Sequence, residues 1–335
     1  MAEATSPYLS IVTPSYQQGD FIEETLRSLL EDQDGAAPGD YEIIVMDGGS
    51  DDGTVDRLRA RDDDPRLSWT SAPDQGQSDA INRGLARARG QVFNWINSDD
   101  LLEPGAAAAV IQRFRREPGL RVLCGRCAKF DHHTREVTGW LQMETKRELE
   151  ATMLIGRCTQ PSTFWRTSIV REMDGVHPQL RCAMDWHLWL KFLVKYGMSG
   201  VAFTQDSLAR FREHPAAKST AEGERFREEV HAIWLDLATH LNAPAELLAF
   251  LRSLTPLRLD PPTRWEPGSH LRPERLWHTL GVRWAHKFRK TGREEEARFL
   301  IDLAWKCERR LTPMYLNSRW KLRDIAPWQP GAKDS

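Results

Sequence analysis

The sequence predicts an α/β fold: a mixed, mostly parallel sheet flanked by helices, followed by a helical C-terminal extension. Three observations carry this reading. Short apolar runs each stop at a polar cluster, helix-period segments separate those runs, and helical spacing alone remains after about residue 220. Leu9-Ser10-Ile11-Val12-Thr13-Pro14 reads as a buried strand stopped by proline, and Phe21 to Glu31 as the helix after it. Tyr41 to Asp47 is a second strand ending in a carboxylate, and Thr54 to Arg61 a second helix. Leu67 to Thr70 is a weaker third strand, followed by a helix from Gln77 to Ala88. Val92 to Ile96 is the fourth strand; it runs into Asn97-Ser98-Asp99-Asp100, and Glu103-Pro104 opens another helix.

Each strand end is polar: Tyr16 and Gln17, Asp47-Gly48-Gly49-Ser50, Asp74-Gln75-Gly76-Gln77, and Asn97 to Asp100. In open α/β sheets ligands bind at the carboxyl edge of the strands. One polar strand end is routine, whereas four in succession mark a site. Asp99 and Asp100 repel each other unless a cation or a hydrogen-bond network offsets the cost. A hard divalent metal with phosphate oxygens is their natural partner. The plainer alternative is a solvated turn whose Asp caps the next helix.

Composition narrows the class. A chain of 335 residues has room for one large or two ordinary domains, and a net charge of -2 gives no bulk attraction for nucleic acid. No stretch approaches the ~20 apolar residues of a membrane span. Met1 to Pro7 lacks the basic and apolar regions of a signal peptide, so a cytoplasmic location is expected. Five scattered cysteines form no disulfide framework. Cys124-Gly125-Arg126-Cys127 has the spacing of a metal knuckle, but it lies in an apparent strand and lacks a second pair.

Pro14-Ser15-Tyr16, Asp47-Gly48-Gly49-Ser50-Asp51-Asp52-Gly53-Thr54 and Asn97-Ser98-Asp99-Asp100, in that order, resemble the family-2 glycosyltransferases of the GT-A fold. Asp74-Gln75-Gly76-Gln77-Ser78-Asp79-Ala80-Ile81-Asn82-Arg83-Gly84 fits one branch's block Asp-x-Gly-Gln-x-Asp-Ala-Ile-Asn-x-Gly position by position. The resemblance covers about residues 8 to 218. It implies a GT-A domain over residues 1–220, with a donor half at about 8–100 and an acceptor half at about 101–220, before a helical region at 221–335. The implied donor is a nucleotide sugar, UDP-linked by family prevalence. Pro14 and Tyr16 would border its base and ribose, and Asp47 would accept a hydrogen bond from a ring N–H of the base. A plain Asx turn is the alternative for Asp47. Gln77, Asp79 and Asn82 begin a helix at i, i+2 and i+5, so they cannot all share one face. Relatives often carry an arginine at the position of Ile81 as a diphosphate contact, and Arg83 is the substitute here. The usual Asp-x-Asp appears as Asn97-Ser98-Asp99. Asn97 and Ser98 remain donor contacts, and Asp99 is the implied ligand of Mg²⁺ or Mn²⁺, with Asp100 as fallback.

The resemblance extends to the acceptor half. Gln160-Pro161-Ser162-Thr163-Phe164-Trp165-Arg166 resembles the strand that shapes the acceptor pocket. Asp185, in Ala183-Met184-Asp185-Trp186-His187-Leu188-Trp189-Leu190, matches the family's general base, although Met184 replaces the commoner preceding acid. Asp185 would also serve as N-cap of a helix from Trp186 to Tyr196, whose Trp186 and Trp189 would wall an acceptor sugar. Phe211 to Ser219 resembles the flexible segment that closes over the diphosphate. There His214 would complete the metal shell, and Arg212 and Lys218 would meet phosphate oxygens; a basic surface loop is the alternative. His132-His133 reads as a solvated turn between strands.

Five helical segments follow: Glu222 to Leu241, Pro244 to Leu254, Leu271 to Lys290, Arg293 to Arg310 and Pro313 to Ile325, with a joint at Pro261-Pro262 and Glu266-Pro267-Gly268. Trp277, Trp284, Trp305, Trp320 and Trp328 are interleaved with Arg and Lys. That pattern suits either an anionic membrane surface or a bundle with Trp inside and Arg outside. Acceptors in this family are often lipid-linked glycans of the cytoplasmic leaflet. The expected partners are therefore a nucleotide-sugar donor and a glycan or lipid-linked acceptor, with peripheral contact to the inner face of the cell membrane through the C-terminal region. Two other classes remain. A nucleotidyltransferase needs a glycine- and basic-rich N-terminal signature, which Gly19-Asp20 does not supply. A non-catalytic nucleotide-sugar-binding protein would keep Asp47 without needing Asp185.

Overall fold

The computed structural model describes residues 6–155, 158–214 and 222–329. Two compact units divide the chain. The first takes Met1–Met143, Arg157–Trp189 and Met198–Gly223, and the second Glu144–Gly156, Leu190–Gly197 and Glu224–Ser335.

The first unit is built on a nine-stranded sheet. Its opening strands β1 (Leu9–Ser15), β2 (Tyr41–Asp47), β3 (Leu67–Ser71) and β4 (Val92–Trp95) alternate with α1 (Ile22–Leu30), α2 (Thr54–Arg59) and α3 (Gln77–Arg87). These four strands pair in parallel in the order β3-β2-β1-β4. β1, β2 and β4 are buried at every position, which is why they read as continuous apolar runs and not as alternations. Pro14 does not stop β1, which continues beside β2 to Ser15. It ends only the ladder to β4. Ile96 N–H donates to the Val12 carbonyl at 2.9 Å, so position 14 faces the same neighbour, and proline lacks the N–H for the next rung.

The later strands are β5 (Leu101–Leu102), β6 (Val122–Asp131), β7 (Val137–Gln142), β8 (Thr163–Arg166) and β9 (Val201–Glu213), with α4 (Ala106–Arg116) before β6 and α6 (Thr167–Glu172) after β8. The sheet continues from β4 through β8, β6, β9 and β5, with β7 also on β6. β8 is antiparallel to β4 and β6, β7 to β6 and β5 to β9, while β6 and β9 are parallel. The sheet is thus parallel in its first half and mixed in its second. Ile22, Leu26 and Leu29 of α1 and Val110 and Phe114 of α4 join Ile11, Ile43, Val45 and Ala209 in one buried cluster. On α3 the inward face is Ala80, Ile81, Gly84 and Leu85. A Cβ at Gly84 would lie 2.4 Å from Val12 Cγ1, so only glycine lets α3 settle this close to β1.

α7 (Met184–Tyr196) opens in the first unit. The second unit is helical: α5 (Leu149–Met153), α8 (Gly223–His240), α9 (Ala245–Leu254), α10 (Pro273–Lys290), α11 (Glu294–Cys307) and α12 (Pro313–Lys321). Phe250, Ala285, Phe288, Leu300, Ile301 and Tyr315 form its core. Most of the C-terminal tryptophans pack inward. Trp277 is buried, Trp305 stacks on Tyr315 at 5.4 Å, and Trp328 stands edge-on to Phe250 and Phe299. Trp320 is 65% exposed. No helix among the described residues is long and apolar enough to cross a membrane.

Candidate active site

The carboxyl edge of β1, β2, β3 and β4 carries the polar strand ends. At the end of β2, Asp47 is almost fully buried. Its Oδ2 accepts from the N–H groups of Gly49 and Ser50 at 3.0 and 2.9 Å and from Ser71 Oγ at 2.6 Å, and its Oδ1 accepts from Ser50 Oγ at 2.6 Å. This is an Asx turn whose acid shapes the loop. The loop is stitched to the end of β1: Gln17 N–H donates to Ser50 Oγ at 2.8 Å, Gln17 Nε2 to Asp51 Oδ1 at 2.7 Å, and Gly19 N–H to Asp52 Oδ2 at 2.7 Å. Desolvation alone would raise the Asp52 carboxyl. Hydrogen bonds from the Thr54 hydroxyl and from the N–H groups of Gly19 and Thr54 outweigh it and hold the group below its ordinary value. Tyr16 is 61% exposed. A Cβ at Gly48 would lie 3.1 Å from Tyr16 Cδ2 and 3.2 Å from Asp74 Oδ2, so the ends of β1, β2 and β3 converge on a position that only glycine fills comfortably.

The first turns of α3 separate the expected donor contacts. Gln77 Nε2 donates to Asn97 Oδ1 at 2.7 Å and so faces the end of β4. Asp79 and Arg83 pair with each other at 2.7 Å across one helical turn. Asn82 turns the other way: its amide donates to the Val176 carbonyl at 2.8 Å and its oxygen accepts from Val176 N–H at 3.0 Å. Ile81, the position where relatives carry arginine, lies on the buried face of the helix. Ser78 Oγ donates to the Leu180 carbonyl at 2.5 Å. Through α3, therefore, the end of β4 is tied to the segment that leads to Asp185.

The turn after β4 holds Asn97, Ser98, Asp99 and Asp100, and its two acids differ. Asp100 is 1% exposed; its Oδ1 accepts from Arg212 N–H at 3.1 Å and its Oδ2 from Asn97 Nδ2 at 3.2 Å. Burial first, and the neighbouring Asp99 charge second, push its carboxyl well above the ordinary value. Asp100 faces inward as a brace. Asp99 keeps its side chain partly open, and its Oδ2 lies 3.1 Å from His214 Nε2. The carbonyls of Ser98 and Asp100 both accept from Thr25 Oγ1 at 2.9 Å.

Arg212 stands inside β9, not in a loop, and is 1% exposed. Strand pairing with β6 through Phe130↔Arg212 and Asp131↔Glu213 extends order where a flexible segment was expected. Its Nε donates to the Asp99 carbonyl at 2.7 Å, its Nη2 pairs with Glu24 at 2.8 Å, and its guanidinium lies over the rings of Phe21 and Phe130. Arg212 thus underpins the acidic turn from below. His132, expected in a solvated turn, is half-buried; its Nδ1 lies 3.3 Å from Arg212 Nη1 and its ring stands edge-on to Phe21. Desolvation and then the charges of Arg212, His133 and His214 lower its pKa, with Asp131 opposing. Lys218 lies outside the described residues.

On the acceptor side, a 3₁₀ turn at Gln160–Ser162 leads into β8. Gln160 Nε2 donates to the Trp95 carbonyl at 2.5 Å, and Asn94 Nδ2 to the Pro161 carbonyl at 2.9 Å, so this segment is clamped to β4. Asp185 is the second residue of α7, two residues deeper into the helix than an N-cap. Its Oδ1 accepts from Trp186 N–H at 2.7 Å, and the side chain is partly exposed. Desolvation, and after it the Asp185 carboxylate, push the Cys158 thiol well above its usual value. Trp186 and Trp189 do not wall an open pocket. Both are buried, and Trp189 packs edge-on to Trp165 at 6.0 Å.

Among the described residues no cluster of three His, Cys, Asp or Glu side chains is arranged to hold a metal ion. The Asp99 carboxylate and the His214 imidazole are a pair of oxygen and nitrogen donors suited to Mg²⁺ or Mn²⁺ when ligand oxygens supply the remaining positions. Sequence reasoning missed Glu24, Thr25 and Ser71. Each is an ordinary polar residue on its own element, and its role arises only from tertiary pairing. Cys124 and Cys127 lie in β6, both buried, and form no metal knuckle.

Residues 10–173 match the family Glycosyl transferase family 2. An uncharacterized glycosyltransferase of Mycobacterium tuberculosis is 34% identical over 193 residues, covering 56% of this chain and 69% of that protein. Residues 1–349 of Staphylococcus aureus TarS, solved with UDP-GlcNAc, superpose with a TM-score of 0.56 at 17% identity over 96% of this chain and 93% of that one. The chain spans 53% of a longer TarS structure. The Pyrobaculum calidifontis mannosyltransferase PcManGT, solved with GDP-Man and Mn²⁺, superposes with a TM-score of 0.53 at 15% identity over 96% of this chain and 81% of that one.

Proposed function

The chain is a glycosyltransferase of family 2 with the GT-A fold, and on that premise we propose that it moves a sugar from a UDP-linked donor to a hydroxyl of a glycan or lipid-linked acceptor with inversion. The observation that carries this reading is the Asp99–His214 pair, 3.1 Å apart at the carboxyl edge of the sheet. The resemblance of fold to proteins solved with UDP-GlcNAc or with GDP-Man and Mn²⁺ supports it.

In this proposal Tyr16 and the Asp47 loop hold the nucleoside, Gln77 and Asn97 orient the ribose and first phosphate, and Asp99 with His214 holds the cation. A divalent cation bound there supplies positive charge toward the departing diphosphate. The acceptor hydroxyl oxygen attacks the anomeric carbon from the face opposite the phosphate. As that C–O bond forms, the bond to the phosphate oxygen breaks, the nucleoside diphosphate leaves with the electron pair, and the hydroxyl proton passes to Asp185. Asp185 lies in the first turn of α7, where the helix dipole favours its ionised form. It is therefore available as a base near neutral pH.

Hydrolysis and transfer assays with UDP- and GDP-sugars, with and without Mn²⁺, test the reading. Asp185→Asn is nearly isosteric and should leave fold and donor affinity intact while lowering turnover by about 10²-fold or more. The product's anomeric configuration, read from proton coupling, should be opposite to the donor's. Retention, or a fully active Asp185→Asn, removes this residue from the mechanism. Donor binding without turnover on any acceptor returns the chain to the non-catalytic class.

A further inference from the structure

Seven large apolar side chains are exposed among the described residues, and four of them fall within ten positions of the helical unit: Leu311, Met314, Leu316 and Trp320. They belong to α12 and its approach. The helix is held firmly from its other side. Thr312 Oγ1 caps it by accepting from Tyr315 N–H at 3.1 Å, while Tyr315, Ser318 and Leu322 are buried. At 100° per residue those three inward positions fix the outward direction. Pro313 and Trp320 point directly away from the core, Leu316 lies about 50° to one side of them, Met314 lies on the flank, and nothing in the described chain covers this face.

Its surroundings are basic. From Arg309 to Trp328 the sequence has five Lys or Arg against one acid, Asp324. Arg310 pairs with Glu148 and Arg323 with Asp324, while Arg319 donates to the Tyr315 hydroxyl. Lys321 joins Arg289 and Lys290 from the end of α10. α10 packs against α12, and the His286 pKa is lowered by desolvation first and then by the charges of Lys290, Arg289 and Lys321. An exposed apolar strip that includes a tryptophan, bordered by cations, is a surface that an anionic headgroup layer can cover.

We propose that the outward face of α12 docks on an anionic lipid bilayer, with Leu316 and Trp320 entering the headgroup boundary and Lys321, Lys290 and Arg289 meeting lipid phosphates. Charge decides against a second copy. A two-fold contact through this face would set its cations against their own images, whereas an anionic leaflet offsets them. With one short helix, the association is reversible and salt-sensitive.

Flotation of the full chain with vesicles of phosphatidylcholine alone, or mixed with phosphatidylglycerol, tests this without any sugar nucleotide, so its outcome is separate from that of the transferase reading. The chain should float with the mixed vesicles, stay behind with the neutral ones, and be released by high salt. Lys321→Gln should weaken partition by about fivefold. Leu316→Ser combined with Trp320→Ser, both at exposed positions, should weaken it by at least about tenfold with an unchanged melting temperature. Failure to float with anionic vesicles, equal recovery with both kinds, or full retention by the double variant overturns the proposal. So does a concentration-dependent dimer in lipid-free sedimentation that Trp320→Ser abolishes.

Discussion

The turns after β2 and β4 each end a buried parallel strand in an acid, yet they use that acid in opposite ways. Asp47 receives four hydrogen bonds from its own loop and from Ser71, so its charge is spent on architecture. Asp99 has its main chain held from behind by Arg212, while among the described residues its carboxylate meets His214. The second turn is braced through its backbone and through Asp100, which leaves Asp99 presented outward. A rigid loop with a saturated acid makes a wall; a rigid turn with a spare acid leaves a carboxylate that a cation could use. The lesson is that strand-end position alone does not distinguish the two, and the donors around each carboxylate do.

Substitutions should separate these roles. The largest expected effect is at Asp99: Asn in its place should weaken Mn²⁺-dependent binding of a nucleoside diphosphate by about 10²-fold in calorimetry, with little change in melting temperature. Wild-type binding and turnover by Asp99→Asn in EDTA-treated buffer would show that the spare acid holds no metal. Asp47→Ala should behave in reverse. It strands four donors in a half-buried loop and should cost about 2 kcal/mol, seen as a fall of roughly 4–8 °C in melting temperature. It should also weaken nucleoside binding with or without metal. A stable Asp47→Ala would break the comparison.

Two smaller changes sharpen it. Ser71→Ala removes one of the four donors and should cost about 1 kcal/mol in denaturant unfolding, since three remain to satisfy Asp47. Asp52, in the same loop, is held below its ordinary value by bonds that only the folded chain supplies. Its contribution is fully present above the unfolded carboxylate range and is lost as pH falls through the lowered folded value. The acid limb of stability should therefore be slightly shallower in Asp52→Asn, an effect kept small by the residue's exposure.

Much of this contrast lay within reach of the sequence, and the limits have physical causes. β1, β2 and β4 are legible because full burial leaves unbroken apolar runs, β3 less so because none of its positions is fully buried, and α1, α2 and α3 because their inward faces repeat at helical spacing. Arg212 was misplaced because β9 carries Asp206, Arg210, Arg212 and Glu213. Local pattern reads such a segment as a loop, and only its partner β6 makes it a strand. Asn82 sits in a donor-like block, but its two bonds to Val176 depend on a segment 94 positions away. Trp186 and Trp189 look like a sugar platform beside Asp185 until α7 turns them into the core. The α7 start, two residues earlier than expected, moves Asp185 from cap to first turn, a shift that neighbouring Met184 does not signal.

The absent methyl at Gly84 makes α3 a dial that can be turned from the dry side of the sheet. The helix carries Gln77 and Asp79 at its open end, two turns from the point where its backbone rests on Val12. One added carbon there would touch no polar group, no charge and no ligand, yet it would have to lift or tilt the whole rod, and the tips of its side chains with it. Trimming Val12 would give the space back. The reach of Gln77 and Asp79 is thus set by a purely steric gauge, adjustable in steps of single carbon atoms by a matched pair of substitutions in the buried core.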